Sequence, residues 1–110
     1  MKQYKEIWNN LSQTLDDASY YVCCVKDEAE IRQNGHHTAE FLKSVLQLSP
    51  TDTVLEIGCG IGRVGRELAR YCREWNGADI SGQMISYAAE RTRGIENIRL
   101  HELPANNLRL

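Results

Sequence analysis

Residues 54–65 read Val-Leu-Glu-Ile-Gly-Cys-Gly-Ile-Gly-Arg-Val-Gly, and a second acidic residue follows in Gly77-Ala78-Asp79-Ile80-Ser81. Glycines at 58, 60 and 62 let a backbone turn sharply and approach a ligand closely, because no Cβ stands in the way. A helix starting just after such a turn presents free N–H groups to the same space. The arrangement suits any ligand that needs intimate backbone contact, so alone it marks a site without naming a substrate. No Ser/His/Asp or Cys/His arrangement suggests a covalent nucleophile.

The elements that must position these residues follow from spacing. Thr53-Val54-Leu55-Glu56-Ile57 is a short aliphatic and β-branched run ending in glycines, and it predicts a strand. Arg63 to Arg73 has helical spacing, with Val64, Leu68 and Cys72 on one side. Glu74 to Ile80 is a second strand. Ser81 is a good N-cap for a helix through about Arg93, with Met84, Tyr87, Ala88 and Arg91 on one side. Asn97-Ile98-Arg99-Leu100-His101 alternates and predicts a third strand. Strand, helix, strand, helix, strand implies a parallel sheet with right-handed crossovers.

Upstream, residues 2–16 predict a helix whose Tyr4, Ile7, Trp8, Leu11 and Leu15 make one apolar stripe. Asp27 to Gln33 predicts a short helix ended by Asn34-Gly35, and a longer helix follows from about His37 to Leu48. Ser49-Pro50-Thr51-Asp52 is a turn. The expected organisation is one α/β unit, Rossmann-like and three-layered. Residues 1–52 form its helical N-terminal lid segment and residues 53–110 a partial cofactor-binding domain with the first three strands of the sheet.

Two patterns compete for the glycine segment. Gly60-x-Gly62-x-x-Gly65 fits the dinucleotide fingerprint, with Asp79 at about the 20-residue spacing that fingerprint calls for. Glu56-x-Gly58-x-Gly60-x-Gly62 fits the loop of S-adenosylmethionine methyltransferases. The first register buries Glu56 within a strand that should be continuously apolar, at a desolvation cost. The second places Glu56 at the strand's carboxyl end, where ligands bind in open α/β sheets. The second is physically better.

Val54 to Arg63, together with Gly77-Ala78-Asp79-Ile80-Ser81-Gly82-Gln83-Met84-Ile85, resembles the first two signature regions of class I S-adenosylmethionine-dependent methyltransferases. Trp8, the segment from Asp27 to Gly35 and the helix before Thr53 are similar, more weakly, to the N-terminal region of bacterial members. The resemblance implies S-adenosylmethionine as cofactor. It implies that Gly58 and Gly60 bring backbone against the methionine part, with Glu56 orienting the loop and the amino end. Asp79 would accept hydrogen bonds from the ribose hydroxyls, and Ile80 and Met84 would meet the adenine face, Met84 being the more ordinary core residue of the two. Family members often carry an acidic residue after the third strand that meets the adenine amino group. Here the region reads Glu102-Leu103-Pro104-Ala105-Asn106-Asn107, so Glu102 and the asparagines are all open for that place.

Other features carry less. His36-His37 reads as a solvent-facing helix start rather than a catalytic base. Arg63, Arg66, Arg70 and Arg73 read mostly as a solvated face beside Glu67 and Glu74. Trp8, Tyr20 and Tyr21 fit equally a lid over the cofactor and core packing. Four cysteines lack metal-ligand spacing, so reduced thiols and no metal are expected.

At 42% hydrophobic and 25% charged residues, the composition is that of a globular protein rather than a disordered one. A net charge of −2 gives no electrostatic case for nucleic acid or an anionic membrane. No apolar run reaches a bilayer-spanning length of about 20 residues and no secretory h-region follows Met1, so a cytoplasmic location is expected. The third strand lies close to Leu110, so the expectation is a methyltransferase truncated after it. The acceptor pocket would then be missing, and a dimer or partner chain would cover the open sheet edge. Two other functions remain open on sequence: an NAD(P)-dependent oxidoreductase fragment, and a non-catalytic cofactor-binding or scaffold piece.

Overall fold

The structure is a computed structural model that describes residues 27–104. The elements run α1 (Glu28–Leu46), β1 (Thr53–Ile57), α2 (Gly65–Leu68), a 3-10 turn (Ala69–Tyr71), β2 (Glu74–Asp79), α3 (Gly82–Arg91) and β3 (Ile98–Glu102). The expected helix over residues 2–16 and the aromatic residues Trp8, Tyr20 and Tyr21 lie outside the described residues.

The three strands form one parallel sheet in the order β1-β2-β3. Register aligns Glu56 with Gly77, Ile57 with Ala78 and Asp79 with Glu102, so the carboxyl ends of all three strands come to one edge. This is the parallel α/β sheet expected from the strand and helix order. β2 lies in the middle, and Trp75 on it is fully buried with Ala39, Val64, Leu68 and Cys72. The indole fits because Gly65 and Gly77 flank it: a Cβ at either would fall within 2.3 Å of its ring. β1 is an edge strand whose Leu55 and Ile57 are 45% and 59% exposed.

Two expectations are corrected. Asn34-Gly35 does not end a helix, because α1 runs unbroken for 19 residues from its Asp27 cap, whose Oδ1 accepts the Glu30 amide at 3.1 Å. The glycine serves close approach instead. A Cβ at residue 35 would stand 2.4 Å from the Arg63 carbonyl oxygen, so only glycine lets α1 cross the loop there. Helix termination falls to Gln47, whose φ of 50° sends the chain off in the left-handed region while its amide still bonds Ser44. His36 and His37 are thereby mid-helix, and both are exposed.

The second correction concerns residues 63–73. The helix splits into the four residues of α2 and the 3-10 turn, although Val64, Leu68 and Cys72 all point inward as their spacing predicts. Arg63 and Arg66 on this segment are part-buried while Arg70 and Arg73 are exposed, so the solvated face covers only its second half. In α3 the expected cap is present, Ser81 Oγ accepting the Met84 amide at 3.2 Å.

Candidate functional site

β1 ends at Ile57, and the chain turns through Gly58 (φ 76°), Gly60 (φ 58°) and Gly62 (φ 76°) before α2 begins. The turn is fixed from β2: the amides of Gly58 and Cys59 both donate to the Ala78 carbonyl, at 2.7 and 3.0 Å. Asp79, one residue further on, closes it. Its Oδ2 accepts the Gly60 amide at 2.9 Å and its Oδ1 the Ser81 amide at 2.9 Å. One carboxylate thus ties the glycine loop to the start of α3, and each oxygen keeps a lone pair for a further donor.

The glycines differ in what surrounds them. A Cβ at Gly62 would touch Ala88 and Thr92 at 3.3 Å, and one at Gly65 would enter Trp75. A Cβ at Gly58 would meet nothing within 4 Å, and the residue is exposed. Bare backbone facing open space therefore occurs at Gly58, between the two carboxylates of Glu56 and Asp79.

Burial pushes the Glu56 carboxyl up from its ordinary 4.5 to about 7. The Arg63 guanidinium offsets part of this and the Asp79 charge adds to it, so the two carboxylates sense one another. The Trp75 indole N–H also favours the ionised form, though it makes no hydrogen bond among the described residues. Arg63 Nη1 is held by Asn34 Oδ1 and by Thr38 Oγ1 at 3.3 Å, while its buried Nε has no acceptor among the described residues. Cys59, inside the loop, is raised to about 12 by burial and by the Asp79 and Glu56 charges, which keeps it a neutral thiol.

Parallel register puts Glu56, Gly58 and Asp79 at one edge of the sheet, where Asp79 also holds the buried Gly60 amide, and Ile80 is half-buried. Met84 is 2% exposed and offers almost no surface to a ligand. Glu102 lies at the tip of β3 opposite Asp79, its Oε1 2.8 Å from where a Cβ of Gly82 would be. Asn106 and Asn107 are outside the described residues. Sequence reasoning missed Gly35, Trp75 and the role of Arg91. An apolar groove of about 350 Å³ adjoins the site, running from Leu42 and Leu46 of α1 across Val54 and Leu55 to Glu56 and Arg63. Among the described residues no group of three His, Cys, Asp or Glu could hold a metal, and Cys59 and Cys72 are free thiols.

A family model described as a methyltransferase domain matches residues 54–110, more than half of the chain. The chain belongs to the methyltransferase domain family. The domain is 39% identical over 54 residues to the Probable ribosomal RNA small subunit methyltransferase A of Methanosarcina mazei, covering 49% of this chain and 20% of that one. It is similar to a dimethyladenosine transferase from Plasmodium falciparum at 26% identity and a TM-score of 0.58, covering 67% of this chain and 28% of that one. Phosphoethanolamine N-methyltransferase 1 of Haemonchus contortus, solved with phosphoethanolamine and S-adenosylhomocysteine, shares the fold over 99% of this chain and 22% of its own. That likeness has a TM-score of 0.76 at 24% identity. The methyltransferase domain thus has a Rossmann-like sheet, and it spans about a fifth of the length of the curated relatives it matches.

Proposed function

We propose that this methyltransferase domain binds S-adenosylmethionine in the crevice of Glu56, Gly58 and Asp79 and serves methyl transfer to a nucleophilic acceptor. The observation that carries the reading is the open, left-handed Gly58 set between two carboxylates. The fit is chemical as well as steric. Glu56 gains stabilisation of its ionised form from a cation such as an ammonium or sulfonium. The Asp79 oxygens can each accept one more hydrogen bond, which suits a pair of ribose hydroxyls. When bound, S-adenosylmethionine supplies an electrophilic methyl carbon on sulfur. The domain's own residues then hold the donor in place and keep the loop rigid, which is what an in-line transfer needs from a protein.

Ile80 and Glu102 are assigned to the adenine side of the crevice, with Met84 behind Ile80 as support. The dinucleotide alternative is disfavoured by the surroundings of its fingerprint glycines. Gly62 is pressed on Ala88 and Thr92 and Gly65 on Trp75, leaving no bare backbone at either for a pyrophosphate, and the nearby carboxylates repel that anion. No helix among the described residues is long and apolar enough to cross a membrane. A cytoplasmic location belongs to this reading, as does a second copy or partner chain over the open edge of β1.

Calorimetric titration tests the reading. S-adenosylhomocysteine is expected to bind the purified protein and NAD is not; binding of NAD with no binding of S-adenosylhomocysteine reverses the assignment.

A further inference from the structure

The last residue of α3, Arg91, is charged yet its side chain is only 4% exposed. Its guanidinium reaches two separate parts of the chain. Nε and Nη2 donate to the two carboxylate oxygens of Glu28, each at 3.2 Å, and Nη1 donates to the carbonyl of Ile61 at 3.2 Å. Glu28 opens α1, and Ile61 lies within the glycine loop between two residues of positive φ. We propose that Arg91 is a positioning residue: clamped by Glu28, it holds the glycine loop at the Ile61 carbonyl, so that the first turn of α1 helps set the shape of the crevice.

Three features support this. The planar fork of arginine can satisfy a carboxylate bidentately and still have a donor left, which an ammonium cannot do in a fixed geometry. A loop rich in positive-φ glycines has little stiffness of its own and depends on hydrogen bonds from outside. Those bonds divide the loop between them, with Asp79 holding the Gly60 amide and Arg91 the Ile61 carbonyl. Furthermore, α1 braces the same loop a second time, where Gly35 lies against the Arg63 carbonyl and Asn34 accepts from the Arg63 side chain. Arg32 and Arg66 approach Glu28 Oε1 at 3.7 and 3.8 Å, so one carboxylate anchors three guanidinium groups and its loss is felt chiefly at the buried one.

The consequence for ligand binding rests on the reading of the loop as the donor site, whereas the positioning itself does not. Hydrogen exchange followed by NMR separates the two. In Arg91→Met the amides of Gly60 and Gly62 are expected to exchange about 10-fold faster while those of β2, such as Trp75, keep their protection, as in a local opening. S-adenosylhomocysteine affinity is expected to fall about 10-fold in the same variant, with Arg91→Lys between it and the parent. Should Arg91→Met fail to fold, Glu28→Gln and Arg91→Lys carry the same comparison. Unchanged loop exchange, or a rise shared equally by β2, overturns the proposal in favour of a merely structural ion pair. Selective loop opening in a protein that never binds S-adenosylhomocysteine upholds Arg91 as positioning residue and sinks the donor reading instead.

Discussion

Gly58 and Gly62 adopt the same backbone angle, a φ of 76°, four residues apart in one loop, yet they face opposite surroundings. Gly62 is pressed on Ala88 and Thr92, whereas beside Gly58 there is open space. In the first half of the loop, from Glu56 to Gly60, Gly58 is exposed, next to Glu56 and near Asp79, while Cys59 and Gly60 are buried. The second half, from Ile61 to Gly65, is turned inward against α3 and Trp75. A glycine pattern read as a single motif thus does two jobs: its first part leaves backbone free for a ligand, and its second part lets helices pack tightly enough to hold the first part still.

Substitutions can break this contrast, and the largest effect belongs to the inward half. Gly65→Val puts side-chain atoms into the Trp75 ring and is expected to cost about 3 kcal/mol or more of stability, read by urea denaturation. Next is the pH dependence carried by Glu56 in the first half. Its folded pKa is raised, so its favourable contribution is complete below pH 4.5 and is lost as pH rises through about 7. Over that window the unliganded protein should lose up to about 3 kcal/mol relative to a Glu56→Gln variant. A cationic ligand should recover part of that loss. Denaturation curves of the two proteins at a series of pH values isolate the difference, and parallel curves contradict the burial of this carboxylate. The smallest effect on stability is expected at Gly58. Gly58→Ala meets no neighbour and pays only for its left-handed backbone, about 1–2 kcal/mol by thermal unfolding. Its effect on S-adenosylhomocysteine affinity should be the larger, a loss of at least about 10-fold, since the added methyl stands where the ligand must come.

How far the sequence could be read depends on the range of the interactions that decide each feature. The strands were legible because short aliphatic runs bounded by glycine and turn residues carry their own signal. β1 is Thr53–Ile57 as expected, and β3 is displaced by one residue because its pairing with β2 decides its ends. The Ser81 cap was legible for the same reason, being a contact with the amide three residues on. Glu56, Gly58, Gly60 and Asp79 could be brought together on paper because parallel register carries strand ends to one edge. Gly35 was not legible, since an Asn-Gly pair signals a stop locally while its purpose here is contact with Arg63 far along the chain. The burial of Met84 and the double reach of Arg91 were hidden likewise. Helical spacing showed that both share a side with Ala88 but not that Met84 would be covered or that Arg91 would reach both the glycine loop and α1.

The most direct test is an amide-resolved NMR titration of the protein with S-adenosylhomocysteine. The largest shifts are expected at Gly58, Cys59 and Gly60 and at residues 79–81, with little movement at Gly65. Shifts centred on Gly62 and Gly65 that leave Gly58 untouched would contradict the claim that the first half of the loop receives the methyl donor.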